Sequence, residues 1–271
     1  MARKPTLADD LEDDFALDND YVSSSDTETT LSVKLEPPAN SKKRKAQTPA
    51  AATATTTNKS NGKRSKTSKF SVPHEPAEQA ELWNKFMKKA STPGITDLEL
   101  SDHLMDTRHI YQPAAETLAW GSATCLEELA KTAVSTGKSK NKVMHGAPQV
   151  LVICSSALRV IDLVKRLRPV SKRGVLKLFS RHIKISDQQK TLKTTAVDIA
   201  VGTPNRILKL LTEDALKVNR LRLVVIDCWQ DDKMRVVVDM DDTKKDLFAI
   251  WKDVLLPASA NPDYGFKFRL V

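Results

Sequence analysis

The sequence predicts an α/β protein: a single parallel sheet flanked by helices, preceded by a disordered N-terminal tail. Three observations carry that expectation. Four short apolar runs, Gln149–Cys154, Val175–Phe179, Val197–Val201 and Arg222–Asp227, read as strands buried on both faces. Segments of helical period separate them, and the alternation of strand and helix implies right-handed parallel crossovers. Residues 1–72 are rich in Ser, Thr, Lys, Asp and Ala, with too few large apolar groups to offset the entropy of ordering.

The tail divides by charge. Residues 1–40 hold 3 bases and 10 acids, and residues 41–72 hold 9 bases and no acids. The acidic part runs from Asp9 to Asp20, and SSSDTE (Ser23 to Glu28) follows, a pattern that suits acid-directed kinases. In the basic part Lys42, Lys43, Arg44 and Lys45 form one cluster, and Lys63 and Arg64 open a second. Two such clusters in an unstructured tail suit nuclear import, and equally nucleic-acid contact.

Residues 73–137 read as a helical segment. EPAEQAELWNKFMKKA (Glu75–Ala90) places Leu82, Trp83, Phe86 and Met87 at helical spacing. TDLE (Thr96 to Glu99) fits a capping box and opens a second, short helix. Ala114–Val134 reads as a third, with Leu118, Cys125, Leu126 and Leu129 on one stripe and Gly121 tolerated within it. Residues 138–271 then carry the sheet. Its helices are predicted over Ser156–Arg168, Ser186–Lys193 with Ser186 as cap, Thr203–Leu211 with Thr203 as cap and Pro204 in the first turn, and Thr243–Leu256.

Composition excludes several classes. Cys125, Cys154 and Cys228 lie in apolar segments without paired spacing, which suits buried free thiols in a reducing compartment. The five histidines share no ligand spacing with them, so no zinc site is expected. MARKPTLADDLEDDF lacks the apolar core of a signal peptide, and no run approaches the roughly 20 apolar residues of a membrane span. A soluble, intracellular protein is the expectation.

Chemistry in such a sheet belongs to loops at the strand C-terminal ends, here CSSALR, VGTPNR and IDCWQDD. A nucleotide-hydrolysing version needs G-x-x-x-x-G-K-[ST] between a strand and a helix. The stretch TAVSTGKSKNK holds Gly137, Lys138 and Ser139 but has Thr132 at the first glycine position, and it follows a predicted helix rather than a strand. It reads as a basic linker. Asp227 has the position of a Mg²⁺-holding acid, but Cys228 stands where a second acid would be useful. No nucleophile–histidine set is readable, so neither a catalytic constellation nor a cofactor is expected.

A polyanion-binding arrangement remains. VGTPNR puts Thr203, Pro204 and Arg206 at a helix N-terminus, where open N–H groups and the helix dipole attract phosphate. Ser155 and Ser156, with Arg159 one turn on, repeat the geometry, although ordinary helix capping accounts for either motif locally. Residues 138–193 hold 14 bases and 2 acids, among them Lys165, Arg166, Arg168, Lys172, Arg173, Lys177 and Arg181. Contacts from such a block give affinity and salt dependence, not sequence reading.

Over roughly residues 148–260, the order of strand, loop and helix, then DIAVGTPNR, then LVVID, resembles the first RecA-like domain of DEAD-box RNA helicases. In that family T-P-G-R touches RNA backbone and the next strand ends in D-E-A-D. Thr203–Arg206 keeps three of the four positions, Asp227 keeps only the first acid, and Ser155–Arg159 matches P-T-R-E-L poorly. The phosphate-loop motif, an S-A-T motif beyond the D-E-A-D position and a second RecA-like domain are missing. With the acidic-then-basic tail and KLFSRHIK (Lys177 to Lys184), the whole arrangement resembles the Cms-one family, associated with the early small-subunit pre-ribosome, the small-subunit processome.

That resemblance implies a single degenerate RecA-like sheet in a nucleolar, non-enzymatic, RNA-associated factor. The implied partners are pre-ribosomal RNA and processome proteins, with no small-molecule substrate and no membrane. The expected RNA contacts are Thr203, Pro204, Arg206, Ser155, Arg159, Lys177 and Arg181. An ATPase or helicase whose site a partner completes, a DNA- or chromatin-binding replication factor and a protein scaffold remain as alternatives.

Overall fold

The computed structural model describes residues 70–91, 96–112, 125–135, 144–261 and 265–271. All of them belong to one compact unit, Arg64–Val271. The import clusters at Lys42–Lys45 and Lys63–Arg64, the GKS triplet at 137–139 and the start of the predicted third helix lie outside the described residues.

Five strands, β1 (Val150–Ile153), β2 (Val175–Leu178), β3 (Ile199–Gly202), β4 (Leu223–Ile226) and β5 (Lys267–Leu270), form one sheet in the order β2-β3-β1-β4-β5. Every pairing is parallel and in step, with Val150 opposite Ile199 and Leu223, Val175 opposite Ile199, and Leu223 opposite Lys267. The continuous apolar runs are explained by burial. β1, β3 and β4 are buried at every position because helices cover both faces.

Four strands stand where the apolar runs predict them. The fifth does not follow from the sequence pattern, because Lys267 and Arg269 interrupt its apolar character. Arg269 is nonetheless only 1% exposed, and it donates to the carbonyls of Tyr111 (2.9 Å) and His74 (2.9 Å). On the outer side of β5, Ile110 makes a parallel bridge with Phe268, and Tyr111 N donates to Phe268 O (2.8 Å).

The helices are α1 (Pro76–Ala90), α2 (Asp97–Ser101), α3 (Cys125–Ser135), α4 (Ala157–Leu167), α5 (Ile185–Thr194), α6 (Pro204–Thr212), α7 (Asp241–Ala249) and α8 (Leu256–Ala260), with a π-helical segment, Ile250–Leu255, joining the last two. The capping box at Thr96 and Glu99 forms as expected. Ser186 is not the cap of α5, because the helix begins one residue before it and Lys184 takes the cap position. Thr203 holds the cap position of α6 without a side-chain capping bond.

Two cores flank the sheet. One joins Trp83, Phe86 and Met87 of α1 to Leu151, Ile153, Trp251 and Phe268. Within it Trp83 stacks edge-on against Phe268 (4.6 Å) and Trp251 (5.6 Å). Gln79, a polar residue on the buried face of α1, donates to Leu270 O (3.2 Å) and accepts from Leu270 N (3.2 Å), locking α1 to β5. The other core packs Leu126 and Leu129 of α3 and Val160, Leu163 and Val164 of α4 on Val150, Val152, Ile199 and Val225. The predicted helical segment therefore shares its cores with the sheet.

Candidate nucleic-acid interface

The strand C-terminal ends bring together Ser155, Ser156, Phe179 to Lys184, Thr203 and Asp227 to Gln230, as a parallel sheet must. Gly202 allows the β3 end to lie close to β2. A Cβ there would sit 2.5 Å from Leu178 O and 2.6 Å from Leu178 Cβ. Thr203 N donates to Leu178 O (2.9 Å), which fixes the start of α6 beside the β2 loop.

Ser156 caps α4, its Oγ accepting from Arg159 N (3.2 Å). That cap aims the Arg159 side chain across β1 toward β4. Arg159 donates from Nε to Asp227 Oδ2 (2.7 Å) and from Nη2 to Asp227 Oδ1 (2.9 Å), while Nη1 donates to Asp162 Oδ2 (2.9 Å). The Asp227 side chain is 5% exposed and that of Arg159 14%. Burial pulls the Arg159 pKa down, but the bonds and charge of Asp227 outweigh it, and the guanidinium titrates above its ordinary value. The indole of Trp229 lies against the same guanidinium, 5.1 Å from ring centroid to Cζ, and is 44% exposed.

This arrangement does not fit a Mg²⁺ site at Asp227. Both carboxylate oxygens are engaged by one fork of donors, and a cation would meet a guanidinium first. Cys228 offers no base, since burial, with Asp227 beside it, pushes its thiol far above the ordinary range. All three cysteines are buried free thiols, as expected.

Arg206 stands apart from its expected surface role. It is 6% exposed, donating from Nη1 to Gln188 Oε1 (3.0 Å) and from Nη2 to Ile183 O (3.0 Å). Gln188 donates in turn to Lys177 O (3.0 Å) and Phe179 O (3.2 Å). Arg206 therefore holds the loop after β2 in shape, because that loop otherwise leaves buried carbonyls unpaired. Pro204 is buried, while Thr203, Ser155 and Lys177 are half-buried. Of the expected RNA-touching residues, Arg181 alone carries an exposed charge, and its Nε donates to His182 Nε2 (3.2 Å). Sequence reasoning missed the Arg159–Asp227 pair and Trp229. The exposed tryptophan within CWQ is the signal available for the latter.

An all-parallel sheet with a T-P-x-R helix after one central strand and a lone acid at the end of another defines a helicase-like α/β module. The chain belongs to the CMS1 family, described as the U3-containing 90S pre-ribosomal complex subunit, whose pattern matches residues 27–258. It is 44% identical over 111 residues to Protein CMSS1 of Danio rerio, covering 40% of this chain and 38% of that protein. It is 40% identical over 102 residues to Protein CMS1 of Chaetomium thermophilum, covering 36% of this chain and 41% of that protein. The chain thus spans less than half the length of these relatives. Solved structures similar in fold include the yeast DEAD-box splicing factor Prp28, at a TM-score of 0.43 and 15% identity over 73% of this chain and 43% of that one. Yeast Dbp5 aligns at a TM-score of 0.40 and 13% identity over 70% of this chain and 44% of that one.

Proposed function

We propose that this chain is a non-catalytic factor of the small-subunit processome, acting in the nucleolus and binding pre-ribosomal RNA and processome proteins through a helicase-like domain that has given up nucleotide chemistry. The bidentate Arg159–Asp227 pair carries the reading, because it converts the acid that would hold a metal into a structural strut between the first turn of α4 and the end of β4. Membership of a family described as a pre-ribosomal complex subunit supplies the setting.

In this reading RNA backbone meets the start of α6 at Thr203, with Pro204 buried behind it and setting the first turn, together with Ser155, Lys177 and Arg181. Arg159 and Arg206 act one step back, as positioning residues for those loops. Charge-assisted bonds of this kind fix loop geometry more than they add free affinity.

The test is thermal unfolding of the full chain with Mg²⁺ and ATP or ADP. A ligand at 100 times its Kd adds about 2.7 kcal/mol, which is several degrees in a domain of this size. No shift at millimolar nucleotide is expected; a saturable shift that depends on Mg²⁺ would overturn the non-catalytic reading.

A further inference from the structure

The basic block of the sheet domain does not gather at the helicase-type loops. Because α4 runs back along the sheet from the end of β1, its basic C-terminal end, Arg168 and the residues after it, lie beside the strand N-termini. There the segments entering four adjacent strands sit side by side, in the order β2, β3, β1, β4. Hydrogen bonds tie this edge into one surface: Arg173 N donates to the Asp198 carboxylate at Oδ2 (3.0 Å), Gln149 N to Asp198 O (2.8 Å) and Arg222 N to Gln149 O (2.8 Å). His145 Nδ1 lies 2.9 Å from Lys193 O, which brings the end of α5 to the same edge.

Arg168, Lys172, Arg173 and Lys193 are exposed on this edge, and Arg220 and Arg222 are half-buried beside them. Among the described residues, three carboxylates share it. Asp198 is 3% exposed and already accepts from Gln149 and Arg173, Asp214 pairs with Lys217 (3.7 Å), and Glu213 takes a bond from Gln189. Positive charge is therefore in excess. Burial, and then Arg173 and Arg222 against an opposing Asp198, hold the Arg220 pKa below its ordinary value. The large apolar side chains exposed among the described residues, Leu98, Leu158, Trp229 and Met234, all lie on other segments. A protein interface centres on buried apolar and aromatic anchors, whereas a phosphate surface is polar and positive.

We infer that the strand N-terminal edge, through Arg168, Lys172, Arg173, Lys193 and Arg220, is a binding surface for RNA phosphate backbone, on the side of the sheet opposite the helicase-type loops. Neighbouring strands lie about 4.8 Å apart, so four entries span about 15 Å, enough for several phosphates. The surface reads charge and spacing, not bases. The inference rests on the RNA-binding reading above but is independent of the loops assigned there.

The test is equilibrium binding of the full chain to a fluorescein-labelled 20-nucleotide single-stranded RNA across a range of salt. The variants are K172E/R173E/K193E at this edge, its milder K172Q/R173Q/K193Q counterpart, and R181E at the opposite edge, with unchanged thermal unfolding checked for each. The triple reversal is expected to weaken binding at least tenfold, with the glutamine form intermediate. The salt slope should fall by roughly 0.7 for each phosphate the protein no longer neutralises. Wild-type binding with no change in the triple reversal overturns the inference and leaves the RNA reading standing. Failure of the wild-type chain to bind overturns both.

Discussion

Arg159 and Asp227, 68 residues apart in the chain, meet through two parallel hydrogen bonds of 2.7 and 2.9 Å at the mouth of the sheet. Breaking a buried pair leaves an uncompensated charge, which costs about 3–5 kcal/mol. Arg159→Met is expected to destabilise by about that amount, and Asp227→Leu by less, because Arg159 keeps its bond to Asp162 (2.9 Å). The double variant should recover a substantial part, because no unpaired charge remains. Urea unfolding of the four proteins measures the coupling directly. Additive losses would mean that the pair is not a unit.

Arg206 is expected to act on the fold more than on a ligand. Arg206→Leu removes two charge-assisted donors and strands the oxygens of Gln188 and Ile183. The cost should be roughly 2–4 kcal/mol. Amide exchange should rise in residues 180–185 before it rises in β1 or β4, and an unchanged exchange profile would contradict the role assigned.

Stability should fall with acid in the range where histidine titrates. Burial, and then the charge of Arg108, hold His109 below its ordinary pKa, while Asp106 opposes them and Lys267 adds to them. The folded state resists a proton that the unfolded chain accepts. Stability is therefore complete above the unfolded value and is lost as pH drops below it toward the folded value. The urea midpoint is expected to decrease as pH falls through the ordinary histidine value of about 6.5, and His109→Gln should flatten that slope. Carboxylates such as Glu99 and Asp231, with lowered pKa values, titrate below this window.

Much of the fold was legible because β1, β3 and β4 are buried on both faces and so must be continuously apolar. β5 was not, because Arg269 is buried by pairing with two distant carbonyls, which no local pattern announces. Gln79 and Gln188 mislead in the same way, since each reads as a solvated helix residue and is in fact a buried link between segments. The T-P-x-R and lone-acid motifs were visible, but their environment was not. Whether an arginine faces solvent or a buried acceptor is decided by partners 18 to 68 residues away.

The most direct measurement is ultraviolet crosslinking of the tagged protein in cells, followed by sequencing of the attached RNA. The account predicts reads concentrated on a defined region of the pre-ribosomal transcript, reduced by K172E/R173E/K193E. Reads scattered at background level would contradict RNA binding by this chain and leave protein docking as the proposed role.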